Sequence, residues 1–158
     1  MIFENPIDAE FEKIQEVFIY LNMALGAVGL LALFTASLGI VNTMVMSILE
    51  RRKEIGIFKS LGADDREIRG LFLFESGMIG FIGASAGILF GWIITRIVML
   101  VARYYMTKEG IPEVELFALP LWLIMTALAF GVGVAVIAGL YPAARAARID
   151  PVEALRNE

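Results

Sequence analysis

Three long runs of residues without charge dominate the pattern of this chain. They cover residues 17–49, 76–95 and 116–144, and the charged residues lie between and beyond them. The hydrocarbon core of a bilayer is about 30 Å thick, so a spanning helix needs about 20 apolar residues at a rise of about 1.5 Å each. Each run meets this length. The pattern therefore predicts three transmembrane helices.

The composition points to a membrane protein rather than a soluble domain. Hydrophobic residues make up 59% of the 158 residues, whereas soluble domains contain about 45–50%. The excess needs a surface that faces lipid, and three spans leave no room for a separate soluble core. We therefore predict an all-α integral membrane protein.

Basic residues indicate the side of the membrane on which each segment lies. The connector between the first two spans and the C-terminal tail hold most of them: Arg51, Arg52, Lys53, Lys59, Arg66, Arg69, Arg145, Arg148 and Arg156. Cytoplasmic loops are enriched in Lys and Arg, so both segments are predicted to be cytoplasmic. The acidic N-terminal stretch is then placed outside.

An outside N-terminus before three spans, without a signal peptide, is difficult to insert. This favours a chain that is the C-terminal part of a longer protein, with an earlier span and an outer domain upstream. The alternative is a short acidic tail that crosses the membrane unaided.

The N-terminal stretch predicts a helix that continues into the first span. Asn5 suits an N-cap and Pro6 the first helical position. No proline follows before the connector, so we expect one helix from about Pro6 to about Lys53. Apolar residues recur along it at heptad-like spacing, in a seam that can pack within the chain or against a partner helix: Ile7, Phe11, Ile14, Phe18, Leu21, Leu25 and Val28.

Local signals predict two short cytoplasmic helices. Gly62 can end a connector helix in a left-handed conformation, and Asp64 with Glu67 forms a capping box for the second span. Asp150 and Glu153 form a second capping box, which begins a helix in the tail. Helices shorter than about 12 residues are marginal alone in water, so we expect this one to brace the connector; the alternative is a plain solubilising tail.

Small residues recur every four positions in the second and third spans. Such stripes let helices approach closely in lipid, and we expect the two spans to pack on each other through them. A subunit interface is the alternative. The residues are Gly83, Gly87 and Gly91 in one span, with Gly80 and Ala84 in addition, and Ala127, Gly131, Ala135 and Gly139 in the other.

Several kinds of chemistry have no residues to support them. The sequence has no cysteine and no histidine, which removes thiolate and imidazole groups as nucleophiles, bases and metal ligands. It has no Walker loop for nucleotide, and the spans contain no charge for an ion relay. We therefore predict that the protein is not an enzyme and has no cofactor, no metal site and no nucleic-acid partner. It is predicted to be a mechanical membrane component whose energy comes from elsewhere.

Two segments carry a family resemblance. Residues 50–63 read ERRKEIGIFKSLGA, and residues 141–155 read YPAARAARIDPVEAL, with Phe74 and Glu75 opening a glycine-rich span between them. Together they resemble the C-terminal membrane domain of FtsX/MacB-like ABC transporter permeases, the mechanotransmitting class that includes the LolC/LolE permeases. The resemblance covers residues 18–158.

The resemblance implies spans two, three and four of a four-span permease, without the first span and the outer domain. It implies an N-terminal extracytoplasmic stalk helix (1–19), a span (20–49), a cytoplasmic coupling segment (50–63), a span (64–103), an outer loop (104–116), a span (117–143) and a cytoplasmic tail helix (144–158).

The expected partners are an ABC ATP-binding subunit, a second permease subunit and membrane lipids, in the inner membrane of a prokaryote. The resemblance implies that the coupling helix docks on the ATPase, with apolar residues in its groove and charged residues at the rim: Ile55, Ile57, Phe58 and Leu61, and Arg51, Arg52, Lys53, Glu54 and Lys59. The alternative function is a membrane scaffold or regulator that binds an outer partner.

Overall fold

The computed structural model describes residues 6–109 and 120–156, with side chains for residues 11–108, 120–152 and Ala154. All regular secondary structure in these residues is helical, which confirms the all-α prediction. The helices are α1 (Pro6–Glu50), α2 (Arg52–Ser60), α3 (Asp65–Glu109), α4 (Leu121–Ala147) and α5 (Pro151–Arg156). By length and composition, α1, α3 and α4 can each cross a membrane, as the three uncharged runs predict.

The first helix ends earlier than the sequence predicts. It ends at Glu50, and Arg51 leaves the helical region at φ −100° and ψ 17° before α2 begins. The expectation of one helix to Lys53 is therefore wrong. Neither proline nor glycine lies at this joint, and α2 buries Ile55 and Gly56 on its inner side. We attribute the break to this packing.

Other boundaries also differ from the prediction. Helix α3 continues to Glu109, so residues 104–109 of the expected outer loop are helical, while residues 110–116 lie outside the described part. Helix α4 continues to Ala147, so the tail helix begins only at Pro151. The predicted cap Asn5 also lies outside the described residues.

The chain divides into two compact units, residues 1–39 and 40–158. In the first unit, the side chains of Thr35 and Ser37 donate hydrogen bonds to backbone carbonyls four residues earlier. The second unit has a hydrophobic core where the end of α1, helix α2, the start of α3 and the end of α4 meet. Its buried members are Met44, Ile48, Ile55, Ile68, Phe72, Ala143, Ala146 and Ala147.

Close backbone approach joins α3 to α4. A Cβ atom placed on Gly80 would lie 3.1 Å from the Cα of Val132, and one placed on Gly131 would lie 2.7 Å from the Cβ of Ala84. Such distances exclude a side chain. At Gly139 a Cβ atom would lie 2.6 Å from that of Ser76 and 3.1 Å from the sulfur of Met44, so three helices meet there.

The glycine stripe predicted for the second span takes no part in this packing. A Cβ atom on Gly83, Gly87 or Gly91 would meet no described atom within 4 Å, and all three residues are exposed. Ala127 is exposed as well. Within one chain the prediction is wrong for these four residues. The α3 residues in close contact with α4 are instead Ser76, Gly80 and Ala84. Each lies seven residues, about two turns, before a member of the predicted stripe and on nearly the same helical face, so the close contact with α4 is confined to the earlier part of α3.

The glycine contacts predict different effects for two matched substitutions. Gly80→Leu should lower the free energy of unfolding by about 1–3 kcal/mol, because the added side chain overpacks the interface between α3 and α4. Gly87→Leu makes the same change two turns later in α3, where no described atom lies within 4 Å, and should alter it little. Thermal unfolding of both variants in detergent checks this. Equal unfolding temperatures would contradict the assigned packing face.

Candidate functional site

Helix α2 has an inner and an outer face. Ile55 is 3% exposed and packs in the core of the second unit. Ile57, Phe58 and Leu61 are 47%, 50% and 81% exposed. Leu61 lies four residues after Ile57 and three after Phe58, and residues at these spacings are neighbours on a helix surface, so these three form a continuous apolar patch, which we call the outer face of α2.

Helix α5 packs directly on the inner side of α2. A Cβ atom placed on Gly56 would lie 2.6 Å from the Cβ of Ala154 and 3.7 Å from the carbonyl oxygen of Pro151. Ala154 is buried. Only a glycine permits this approach, and the contact confirms the prediction that the tail helix braces the connector.

Lys59 joins α2 to the end of α4. Its ammonium donates hydrogen bonds to the backbone carbonyls of Ala147 at 2.7 Å and Ile149 at 3.0 Å, and lies 2.9 Å from Oδ1 of Asp65. An ammonium has three donors, and each has an acceptor here. A cation at the C-terminal end of a helix also interacts favourably with the helix dipole.

Two of the nine predicted docking residues therefore face inward. Ile55 belongs to the core and Lys59 to the junction with α4, so neither can line a groove of a partner. Both lie on the same side of α2 as Gly56. Arg51, Lys53, Glu54 and the outer face are exposed, and Arg52 is half-buried.

A Schellman motif ends α2. The N–H of Gly62 donates to the carbonyl of Lys59 at 3.1 Å, and that of Ala63 donates to the carbonyl of Phe58 at 3.0 Å. Gly62 has a φ of 102°, which a side chain would disfavour. The motif fixes the direction in which the chain leaves α2 and enters α3.

Side-chain caps hold the starts of α3 and α5. The backbone N–H of Asp64 donates to Oε2 of Glu67 at 3.1 Å, and the N–H of Val152 donates to Oδ1 of Asp150 at 2.8 Å. Asp150 thus caps its own helix, and the carboxylate that pairs with Lys59 is that of Asp65. The side chain of Glu153 lies outside the described part.

Gly56 is the supporting residue that the sequence reasoning missed. A glycine inside a helix costs about 1 kcal/mol relative to alanine. A glycine in a nine-residue helix therefore indicates a close contact, because its cost is offset only where another backbone or side chain must come close. The signal was available beside Ile55 and Ile57.

A known family matches most of the sequence that forms this arrangement. Residues 26–151 match the family described as FtsX-like permease C-terminal. The chain belongs to this family. The match includes α2, the joint at Arg51 and all of α3 and α4, so the resemblance stated from residues 50–63 and 141–155 is confirmed.

The relatives are ABC transporter permeases. An uncharacterized ABC transporter permease of Methanocaldococcus jannaschii is 38% identical over 135 residues, covering 83% of this chain and 32% of the relative. The ABC transporter permease YtrF of Bacillus subtilis is 34% identical over 98% of this chain and 36% of its own length. The macrolide export ATP-binding/permease protein MacB of Syntrophobacter fumaroxidans is 36% identical over 84% of this chain and 17% of its own length. The chain thus spans about a third or less of these relatives.

The contacts of Lys59 predict that it stabilises the connector locally. Lys59→Met leaves the carbonyls of Ala147 and Ile149 without this donor, which should cost on the order of 2 kcal/mol. Asp65 is 60% exposed, so the ion pair adds little. Amide exchange across residues 54–63 should become about 30-fold faster.

Lys53→Met is the matched control for this experiment. It removes the same charge from an exposed position on the same helix, and it should leave exchange unchanged. Equal exchange in both variants would show that Lys59 does not hold α2 in place.

Proposed function

We propose that this chain is a permease subunit of an ABC transporter, or its C-terminal half, and that it transmits ATP-driven motion of a partner ATPase to the extracytoplasmic side. The observation that carries this proposal is the outer face of α2. It is an apolar patch on a short helix between two spans, and the helix is held from behind by α5 and the core.

The composition of the outer face suits a protein groove. Ile57, Phe58 and Leu61 lie beside Lys53 and Glu54, which belong to a strongly charged segment. Exposing large apolar side chains to water is unfavourable by about 25 cal/mol per Å², and a contiguous exposed patch is typical of an interaction site. An amphipathic helix in a groove uses apolar anchors at this spacing, with charged residues at the rim.

The support behind α2 suits the transmission of force. A push on the outer face reaches the ends of α1, α3 and α4 through Ile55, Gly56 and Lys59 without a flexible link, because each contacts the core or another helix. Helix α1 then continues without interruption from Glu50 back to Pro6. Displacement of the connector can therefore move whole helices.

ATP hydrolysis belongs to a separate subunit or domain in this proposal. The sequence contains no Walker loop, and its similarity to the ATP-binding/permease protein MacB extends over only 17% of that protein. The chain is thus proposed to be a non-catalytic membrane part that depends on an ABC ATP-binding partner.

The charge distribution supports an orientation in the cytoplasmic membrane of a prokaryote. Basic residues concentrate at the connector and after α4, which places both in the cytoplasm and the N-terminus outside. The outer face of α2 then lies on the side where ATP is available.

The open glycine stripe of α3 supports a second permease subunit. Gly83, Gly87 and Gly91 are exposed in one chain, and such stripes allow close helix contact in lipid. We propose that this face meets the sister permease of a homodimer or heterodimer. Membrane lipids cover the rest of the apolar surface.

The docking proposal predicts the loss of the ATPase from a double variant. Phe58→Asp with Leu61→Asp places two carboxylates in the apolar contact, so co-purification of the ABC ATP-binding subunit encoded beside the permease should fall at least about 100-fold, taking a penalty of about 3 kcal/mol or more for buried unpaired charges. Pull-down from solubilised membranes measures this.

Val152→Asp is the matched control for the docking test. Val152 is an apolar, exposed residue of α5 on the same side of the membrane, and an acid in the first turn of a helix is well tolerated. It should retain the ATPase. If the double variant keeps the complex intact, the outer face is not the docking site. If no ATP-binding subunit joins the natural protein, the scaffold alternative replaces the transporter.

A further inference from the structure

A basic cleft lies between the end of α1 and the end of α4. Its volume is about 480 Å³, which is within the range of about 300–1,000 Å³ for sites that hold small molecules. The outer face of α2 does not line it. It is therefore a separate feature from the proposed docking site.

The cleft has an apolar and a charged part. The apolar wall includes Val45, Leu49 and Pro142. Three guanidinium groups line the same space, those of Arg52, Arg145 and Arg148. One carboxylate, Asp150, also lines it. That carboxylate accepts the N–H of Val152 at the start of α5, where a helix dipole partly offsets its charge.

The cleft lies at the boundary between hydrocarbon and water. Leu49 is the last residue of the first uncharged run, and Arg145 is the first residue after the third. The apolar wall thus reaches the ends of two spans, and the arginines lie at the depth of lipid headgroups. A soluble anion needs the arginines but gains nothing from the wall.

We propose that this cleft binds one anionic phospholipid, with its phosphate between the arginines and the upper part of an acyl chain against the apolar wall. Guanidinium groups bind phosphate oxygens in bidentate geometry, and basic pockets between spanning helices on the cytoplasmic side suit anionic headgroups. The site is independent of ATPase docking. It joins α1 to α4 beside the joint at Arg51.

Lipid titration followed by native mass spectrometry tests the proposal. The full chain in detergent is titrated with phosphatidylglycerol and, separately, with phosphatidylcholine. Phosphatidylglycerol should bind more tightly. Arg145→Gln with Arg148→Gln should weaken its binding about 25-fold, taking roughly fivefold for each arginine. Phosphatidylcholine binding should weaken less, because its choline cation already offsets the charge of the same phosphate.

Arg66→Gln with Arg69→Gln is the matched control. These arginines line a neighbouring cleft of about 330 Å³, which Arg148 also borders. The control removes the same charge from the same side of the membrane and should keep the phosphatidylglycerol affinity. All four arginines are exposed, so both variants should fold, and equal thermal unfolding temperatures verify this.

Four outcomes overturn the proposal. The first is equal affinity of the natural chain for the two lipids, and the second is equal weakening in both double variants, which would indicate general surface charge. The third is displacement of phosphatidylglycerol by inorganic phosphate or glycerol phosphate, which would indicate an anion site without an acyl chain. The fourth is a loss of ATPase co-purification with unchanged lipid affinity, which would make the cleft part of the docking surface.

Discussion

Close contact between helix backbones is the constraint on which the described membrane part of this chain depends. Lipid tails are as apolar as leucine, so burial gives helices little reason to associate in a bilayer, and van der Waals contact must provide it. Gly80, Gly131 and Gly139 provide that contact. The contact at Gly139 involves three helices, because Ser76 of α3 and Met44 of α1 both occupy the space that a side chain would fill.

The end of the spans at which α2 lies is stabilised by a different kind of interaction. There water is available, and burial of Ile48, Ile55 and Phe72 contributes as it does in a soluble domain. Lys59 then satisfies carbonyls that the end of α4 would otherwise leave without an intrahelical partner. This makes α2 a fixed part of the bundle. Its outer face is held in one position relative to α3 and α4, which suits the docking role proposed for it.

Helix existence and helix caps could be predicted because their signals are local. A run without charge predicts a spanning helix, a glycine after a helix predicts its end, and an aspartate before a proline predicts a helix start. Each of these signals depends on residues only a few positions apart. Inward and outward faces could not be predicted in the same way. Ile55 and Ile57 are chemically identical, and their difference arises from Ala154, about a hundred positions away. Similarly, small residues continue along one side of α3 from Ser76 to Gly91, and only the partner helix distinguishes Gly80, which is packed, from Gly83, which is open.

The hydroxyl groups of the spans bear on how such a permease works. Those of Thr35, Ser76, Thr95 and Thr126 donate to carbonyls three or four residues earlier in their own helices, and the three uncharged runs supply no ionised group. Polar groups satisfied in this way do not offer a path to a solute or an ion. Motion of whole helices requires no such path. The described spans thus favour transmission of displacement over conduction through one chain. A route for a transported molecule would then have to lie at surfaces that several chains form together.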